Sequence, residues 1–143
     1  MSAAKAKPRP FKLTRPIVRE HPLQKLIADV LRLEIAPAGR VSREGVVWFS
    51  IDFADFGGVA PGARVGRGVV AGPPDIVVLW SGRAHWIEVK AEDGHLSDAQ
   101  KSVITALLAA QCHVGVARDA TETLRCLDMW EIPRAHRTWG FTP

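Results

Sequence analysis

Two runs of β-branched and aromatic residues, 75–80 (DIVVLW) and 85–90 (HWIEVK), flank Ser81-Gly82, a turn dipeptide. Together they predict a β-hairpin. A tight turn centred between Ser81 and Gly82 sets Asp75 directly opposite Glu88, and opposed residues of an antiparallel pair share a face, with Cβ atoms about 4.5–5.5 Å apart. Lys90, two residues past Glu88, points to the same face, while Ile87 and Val89 point to the other, into a core. Two facing carboxylates repel and destabilise a sheet, so a compensating cation is expected. Mg²⁺ is commonly held by one or two carboxylates plus phosphate oxygens. An ammonium beside it could orient or help deprotonate an attacking water, as metal-assisted hydrolysis of a phosphodiester requires. The plainer alternative is a structural salt bridge between Lys90 and either acid.

The rest of the chain frames this hairpin. At 143 residues, one domain is expected. No apolar run approaches the roughly 18 residues of a membrane span, and the basic N-terminus has no apolar segment behind it, so a secretory signal is not expected. Cys112 and Cys126 form neither a disulfide framework nor a zinc-binding spacing. A reducing, intracellular (cytoplasmic) setting is the simpler expectation. The net charge of +4 is unevenly spread. Residues 1–19 carry Lys5, Lys7, Arg9, Lys12, Arg15 and Arg19 and no acid, leaving the remainder net negative. Residues 1–16, with three prolines, read as an extended or disordered tail ahead of a domain over 17–143. Such a tail either neutralises nucleic-acid phosphates, with Lys12 and Arg15 as contacts, or merely keeps the chain soluble.

In chain order, Leu23, Leu26, Ile27, Val30 and Leu31 follow the spacing of an amphipathic helix beginning near Pro22. Glu20 falls at its mouth, ahead of Pro22 and outside the helix proper, where a carboxylate favours the helix dipole. Residues 45–53 (GVVWFSIDF) read as a strand. The glycine-rich stretch 56–72 is too long for a tight turn and leads into Pro73-Pro74-Asp75, so Arg64 and Arg67 are candidate phosphate contacts. Ser97 and Gln100 have capping-box form, and Lys101 could reach a phosphate from the same turn. Residues 103–110 (VITALLAA) predict a helix well buried against the sheet. Residues 112–117 read as a strand with Cys112 in the core, and Asp119 with Glu122 opens a last helix. Trp139 and Phe141 in the last ten residues are expected to pack on the domain or a second subunit. The order predicts an α/β fold with a mixed central sheet flanked by helices.

Gly72-x-Pro74-Asp75, Ile87-Glu88-Val89-Lys90 and Leu96-Ser97-x-x-Gln100, in this order and followed by a helix, resemble the VRR-NUC branch of the PD-(D/E)XK nuclease superfamily. The resemblance spans roughly residues 20–134 and implies a restriction-endonuclease-like core. It implies a Mg²⁺- or Mn²⁺-dependent endonuclease acting on DNA. Asp75 and Glu88 would be metal ligands, with the Val89 carbonyl as a further one, and Lys90 and Gln100 would be catalytic. It also makes Glu20 a candidate outer metal ligand, since related nucleases often place a carboxylate on their first helix. The sequence departs from the family in having Gln111-Cys112 where a glycine usually precedes the next strand. Small stand-alone VRR-NUC proteins of phages and bacteria are associated with structure-specific cleavage, including four-way (Holliday) junctions. A homodimer would match the two-fold symmetry of such a substrate. Different readings are an inactive nuclease-fold DNA-binding protein, or a nuclease of this fold acting on another nucleic acid.

Overall fold

The computed structural model describes residues 19–51, 66 and 68–136. The basic tail with Lys12 and Arg15, Arg64 and Arg67 of the glycine-rich stretch, and Trp139 and Phe141 lie outside the described residues, and so do the expectations placed on them.

Helix α1 spans Glu20–Glu34, strand β1 Val47–Ser50, strand β2 Ile76–Trp80, strand β3 Arg83–Val89, helix α2 Asp98–Ala109, strand β4 His113–Ala117 and helix α3 Ala120–Met129. The four strands form one sheet in chain order, with β1/β2 and β2/β3 antiparallel and β3/β4 parallel. This is the expected mixed α/β sheet. The parallel pair is the one joined by a helix, because a parallel connection must recross the sheet.

Ser81 and Gly82 have φ of 52° and 71°. Positive φ at both central residues is the two-residue hairpin turn whose twist matches its strands. The turn fixes the register, pairing Ile76 with Ile87 and Trp80 with Arg83. Period-two alternation then sends Ile76, Val78, Ile87 and Val89 to one face, where they are buried with Trp48 and Ala117. Leu23, Ile27 and Leu31 of α1 and Cys126 and Leu127 of α3 close this core. A Cβ on Gly115 of β4 would lie 2.6 Å from the Cys126 sulfur, so the missing side chain is what lets α3 approach the sheet. His85 is also buried on this face, its Nδ1 3.2 Å from the Val78 carbonyl oxygen.

Several expectations need correcting. Helix α2 is not well buried: none of its side chains is, and Leu108 is half exposed. Its apolar residues lie on most sides of the helix, and only one side can meet the sheet. Glu20 is the first residue of α1 rather than outside it; Pro22 follows in the first turn, where no hydrogen bond from its nitrogen is required. Cys112 is half buried, not a core residue. Gln111 stands where the resembling family has glycine, and its φ of 62° is the left-handed conformation that glycine adopts most easily. The bonds from Gln111 N–H to Leu108 O and from Cys112 N–H to Leu107 O complete a Schellman ending of α2 despite the larger residue.

Candidate functional site

The site lies at the carboxyl end of β3, on the face of the sheet opposite the core. Asp75 directly precedes β2, and the hairpin register carried one step past Ile76–Ile87 sets it across from Glu88. Its Oδ2 accepts a 2.7 Å hydrogen bond from the Val89 N–H. Glu88 is almost wholly buried, and Lys90 nearly so. The Lys90 Nζ lies 2.9 Å from Glu88 Oε1 and 3.0 Å from Glu20 Oε1. Glu20, 70 residues earlier in the chain, thus reaches the site by way of the lysine. The ammonium supplies part of the compensation that the opposed carboxylates require.

Gln100 carries both readings that the sequence left open. Ser97 Oγ accepts from the Gln100 N–H at 3.2 Å, and Gln100 Oε1 accepts from the Ser97 N–H at 2.9 Å, a complete capping box. The other end of the same amide, Nε2, donates to Glu88 Oε1. One side chain therefore starts α2 and fixes the orientation of Glu88. Gly72 sets the separation of these elements. At φ 95°, its Cβ position lies 2.6 Å from the Ala99 carbonyl carbon and 2.7 Å from the Gln100 nitrogen. Only glycine allows the chain entering Pro74-Asp75 to run this close to the first turn of α2.

Electrostatics favour a cation here. Burial pushes the Asp75 carboxyl above its ordinary range, outweighing the Val89 N–H and the Lys90 charge. Burial does the same to Glu88 against its bond to Lys90, and the Asp75 and Glu20 charges add to the rise. Burial opposes the charge on Lys90, yet its bonds to Glu88 and Glu20 leave it raised. Lys90 is therefore an ammonium at neutral pH and unsuited to act as a base. Glu88 Oε1 is shared by two donors, whereas Glu88 Oε2 is buried and has no partner among the described residues. A buried carboxylate oxygen left alone costs free energy, and a hard divalent cation is the ligand that fits it. Among the described residues no three His, Cys, Asp or Glu side chains form a ready cage. Two carboxylates and a remainder of waters and phosphate oxygens are, however, how Mg²⁺ is usually held.

The other candidates are dispersed. Lys101 is exposed on α2, 3.7 Å from Asp98. Arg118, which sequence reasoning passed over, directly follows β4 beside the site.

Asp75→Asn tests the electrostatic account through stability. A carboxyl whose pKa is raised on folding favours the folded state below its unfolded value, and that contribution is lost as pH rises through the folded pKa. At pH 7–8 ionised Asp75 therefore costs stability, whereas asparagine still offers an oxygen to the Val89 N–H. The variant is expected to melt about 2–4 °C above wild type at pH 8. That gap should narrow as pH falls through the carboxyl range. Equal or lower melting at pH 8 would contradict it.

Residues 55–120 match the family model of the VRR-NUC domain. The matched span takes in Asp75, Glu88, Lys90 and Gln100 and stops short of Glu20. No curated protein and no solved structure matches the chain. Among the described residues no helix is long and apolar enough to cross a membrane.

Proposed function

We propose that this chain, whose residues 55–120 match the VRR-NUC domain, a nuclease domain of the PD-(D/E)XK kind acting in DNA processing, is a metal-dependent endonuclease hydrolysing DNA phosphodiester bonds. The observation that carries the proposal is the buried, unpartnered Oε2 of Glu88 beside Asp75, with Glu88 Oε1 already held by Lys90 and Gln100.

Asp75 and Glu88 would hold Mg²⁺ or Mn²⁺, with the Val89 carbonyl as a further ligand and Glu20 as an outer one. When bound, such an ion neutralises phosphate charge and makes a coordinated water more acidic. Lys90, held charged by its two carboxylate partners, orients the attacking water and stabilises negative charge growing on the phosphate. Gln100 keeps Glu88 in one rotamer, so that Oε2 faces the reacting groups without reorganisation.

Preference for branched DNA and a homodimeric assembly extend the proposal. Phe49, Leu79 and Leu108 are exposed apolar side chains that a second copy could cover. Paired sites would suit the symmetry of a four-way junction.

The test compares cleavage of a labelled four-way junction, a flap, a linear duplex, single-stranded DNA and RNA. Each is incubated with Mg²⁺, Mn²⁺ or EDTA, with Glu88→Ala alongside. Metal-dependent cutting that disappears in the variant is expected, strongest on the junction and placed symmetrically. Cutting of flaps or duplex instead keeps the nuclease and discards the resolvase, and RNA cutting replaces the substrate. Binding without cutting under every metal leaves a DNA-binding protein of this fold.

A further inference from the structure

We infer that Arg118 is a phosphate-binding residue of this site, gripping the phosphodiester next to the one that is cut; the inference rests on the nuclease reading above. Strands β3 and β4 run parallel, with Glu88 beside Val116 and Val89 beside Ala117. The Lys90 N–H donates to the Ala117 carbonyl at 3.1 Å, extending the ladder one step past the strand ends. The same register sets Arg118 beside Lys90, on backbones about 4.8 Å apart, and alternation puts it on the side of Glu88 and Lys90. Two cations side by side destabilise a sheet just as two carboxylates do. Lys90 answers its own charge with Glu88 and Glu20. The Arg118 guanidinium makes no ion pair among the described residues.

Its placement is nevertheless defined. Arg118 Nη2 lies 3.4 Å from the Gly94 carbonyl oxygen, and a Cβ on Gly94 would meet the Lys90 side chain at 3.3 Å. The guanidinium is thus laid over the turn that covers the Lys90 stem, at the mouth of the catalytic cluster. The Arg118 N–H donates to Glu122 Oε2 at 2.7 Å, so the backbone is anchored by the first turn of α3 while the side chain stays exposed. An arginine just past a strand end, with most of its donors unused among the described residues, suits the forked recognition of a phosphate. The anion that suits this position is a second phosphate, since Lys90 and the ion that Asp75 and Glu88 would hold engage the first.

The test uses the full chain and measures DNA binding in Ca²⁺, cleavage in Mg²⁺ and melting temperature for wild type, Arg118→Gln and Arg118→Lys. Gln removes the charge but keeps a donor for the Gly94 carbonyl. It is expected to weaken binding and raise KM about tenfold. The slope of log Kd against log salt should fall by about one, with kcat and Tm little changed. Lys is expected to restore the salt slope and part of the affinity. Equal binding and an unchanged slope in Arg118→Gln, with wild type cutting DNA, would overturn this role and leave the nuclease intact. A lowered Tm with normal affinity would make Arg118 a staple for the Gly94 turn and also overturn it. Wild type that neither binds nor cuts DNA would end both readings.

Discussion

Lys90→Ala is expected to lower DNA cleavage by about 10³-fold or more and to destabilise the domain by about 3 kcal/mol, the lower end of the cost of breaking a buried ion pair. The two losses have different causes, and a second substitution separates them. Without the ammonium, Glu88 is a buried carboxylate beside Asp75, with only Gln100 donating to it among the described residues. Glu88 escapes part of that penalty by taking up a proton, since burial and Asp75 already push it that way. Adding Glu88→Gln removes the stranded charge, so the double variant should melt above Lys90→Ala while remaining inactive. Such non-additivity is the signature of a coupled pair. Thermal unfolding and single-turnover cleavage of the four proteins in the cycle provide the check. Full activity in Lys90→Ala would remove the lysine from the chemistry. Additive melting temperatures would mean that Glu88 and Lys90 do not act as a pair.

Gly72→Ala is expected to cost about 2 kcal/mol or more of stability and about 10²-fold in cleavage, although its methyl would meet backbone atoms of Ala99 and Gln100 and no carboxylate or ammonium of the cluster is among them. An alanine here is strained twice. Its φ of 95° disfavours any side chain, and its methyl would lie 2.6–2.7 Å from backbone atoms of Ala99 and Gln100 that have no rotamer to change. Relief requires the 72–75 segment and the first turn of α2 to move apart. That motion draws Gln100 off Glu88, and a displacement near 1 Å in a catalytic constellation can lower a rate by about that factor. Gly82→Ala is the control. Gly82 also has positive φ, at 71°, but nothing lies within 4 Å of its Cβ position. It should show only the conformational strain, about 1 kcal/mol, with cleavage unchanged. Similar behaviour of the two variants would show that the approach at Gly72 is not what holds the site together.

What the sequence made legible was local. The Ser81-Gly82 turn and period-two alternation were enough to place Asp75 across from Glu88, because a two-residue turn leaves no freedom in register. Ser97 and Gln100 could be recognised as a capping box for the same reason. The bond from Gln100 to Glu88 joins a strand to the next helix and the Glu20–Lys90 pair spans 70 residues, and no periodicity within one element encodes such contacts. Gly72 could be seen as part of a motif, but its physical reason is the backbone it passes, which is visible only in three dimensions. Arg118 stayed hidden because its position beside Lys90 follows from the parallel register of β3 and β4. Helix α2 misled because an apolar run reports what a helix can bury, not what it meets.

The exposure of α2 bears on how the domain opens. A helix of 12 residues is marginal alone, and α2 buries no side chain that would tie its length to the sheet. Beyond the half-buried Val103, Ile104 and Leu107, its order rests on its ends: the capping box, the Gly72 contact and the Gln100–Glu88 bond at one, the Schellman bonds at the other. Such an element is expected at the low-energy end of native fluctuations, and amide hydrogen exchange should find it opening while the strands stay closed. Since Gln100 sits in its first turn, each such opening would also break the Gln100 bond to Glu88 and leave Lys90 to hold that carboxylate. Helix fraying and loss of the Gln100–Glu88 bond would then be one event, and a ligand bound against that turn would slow both.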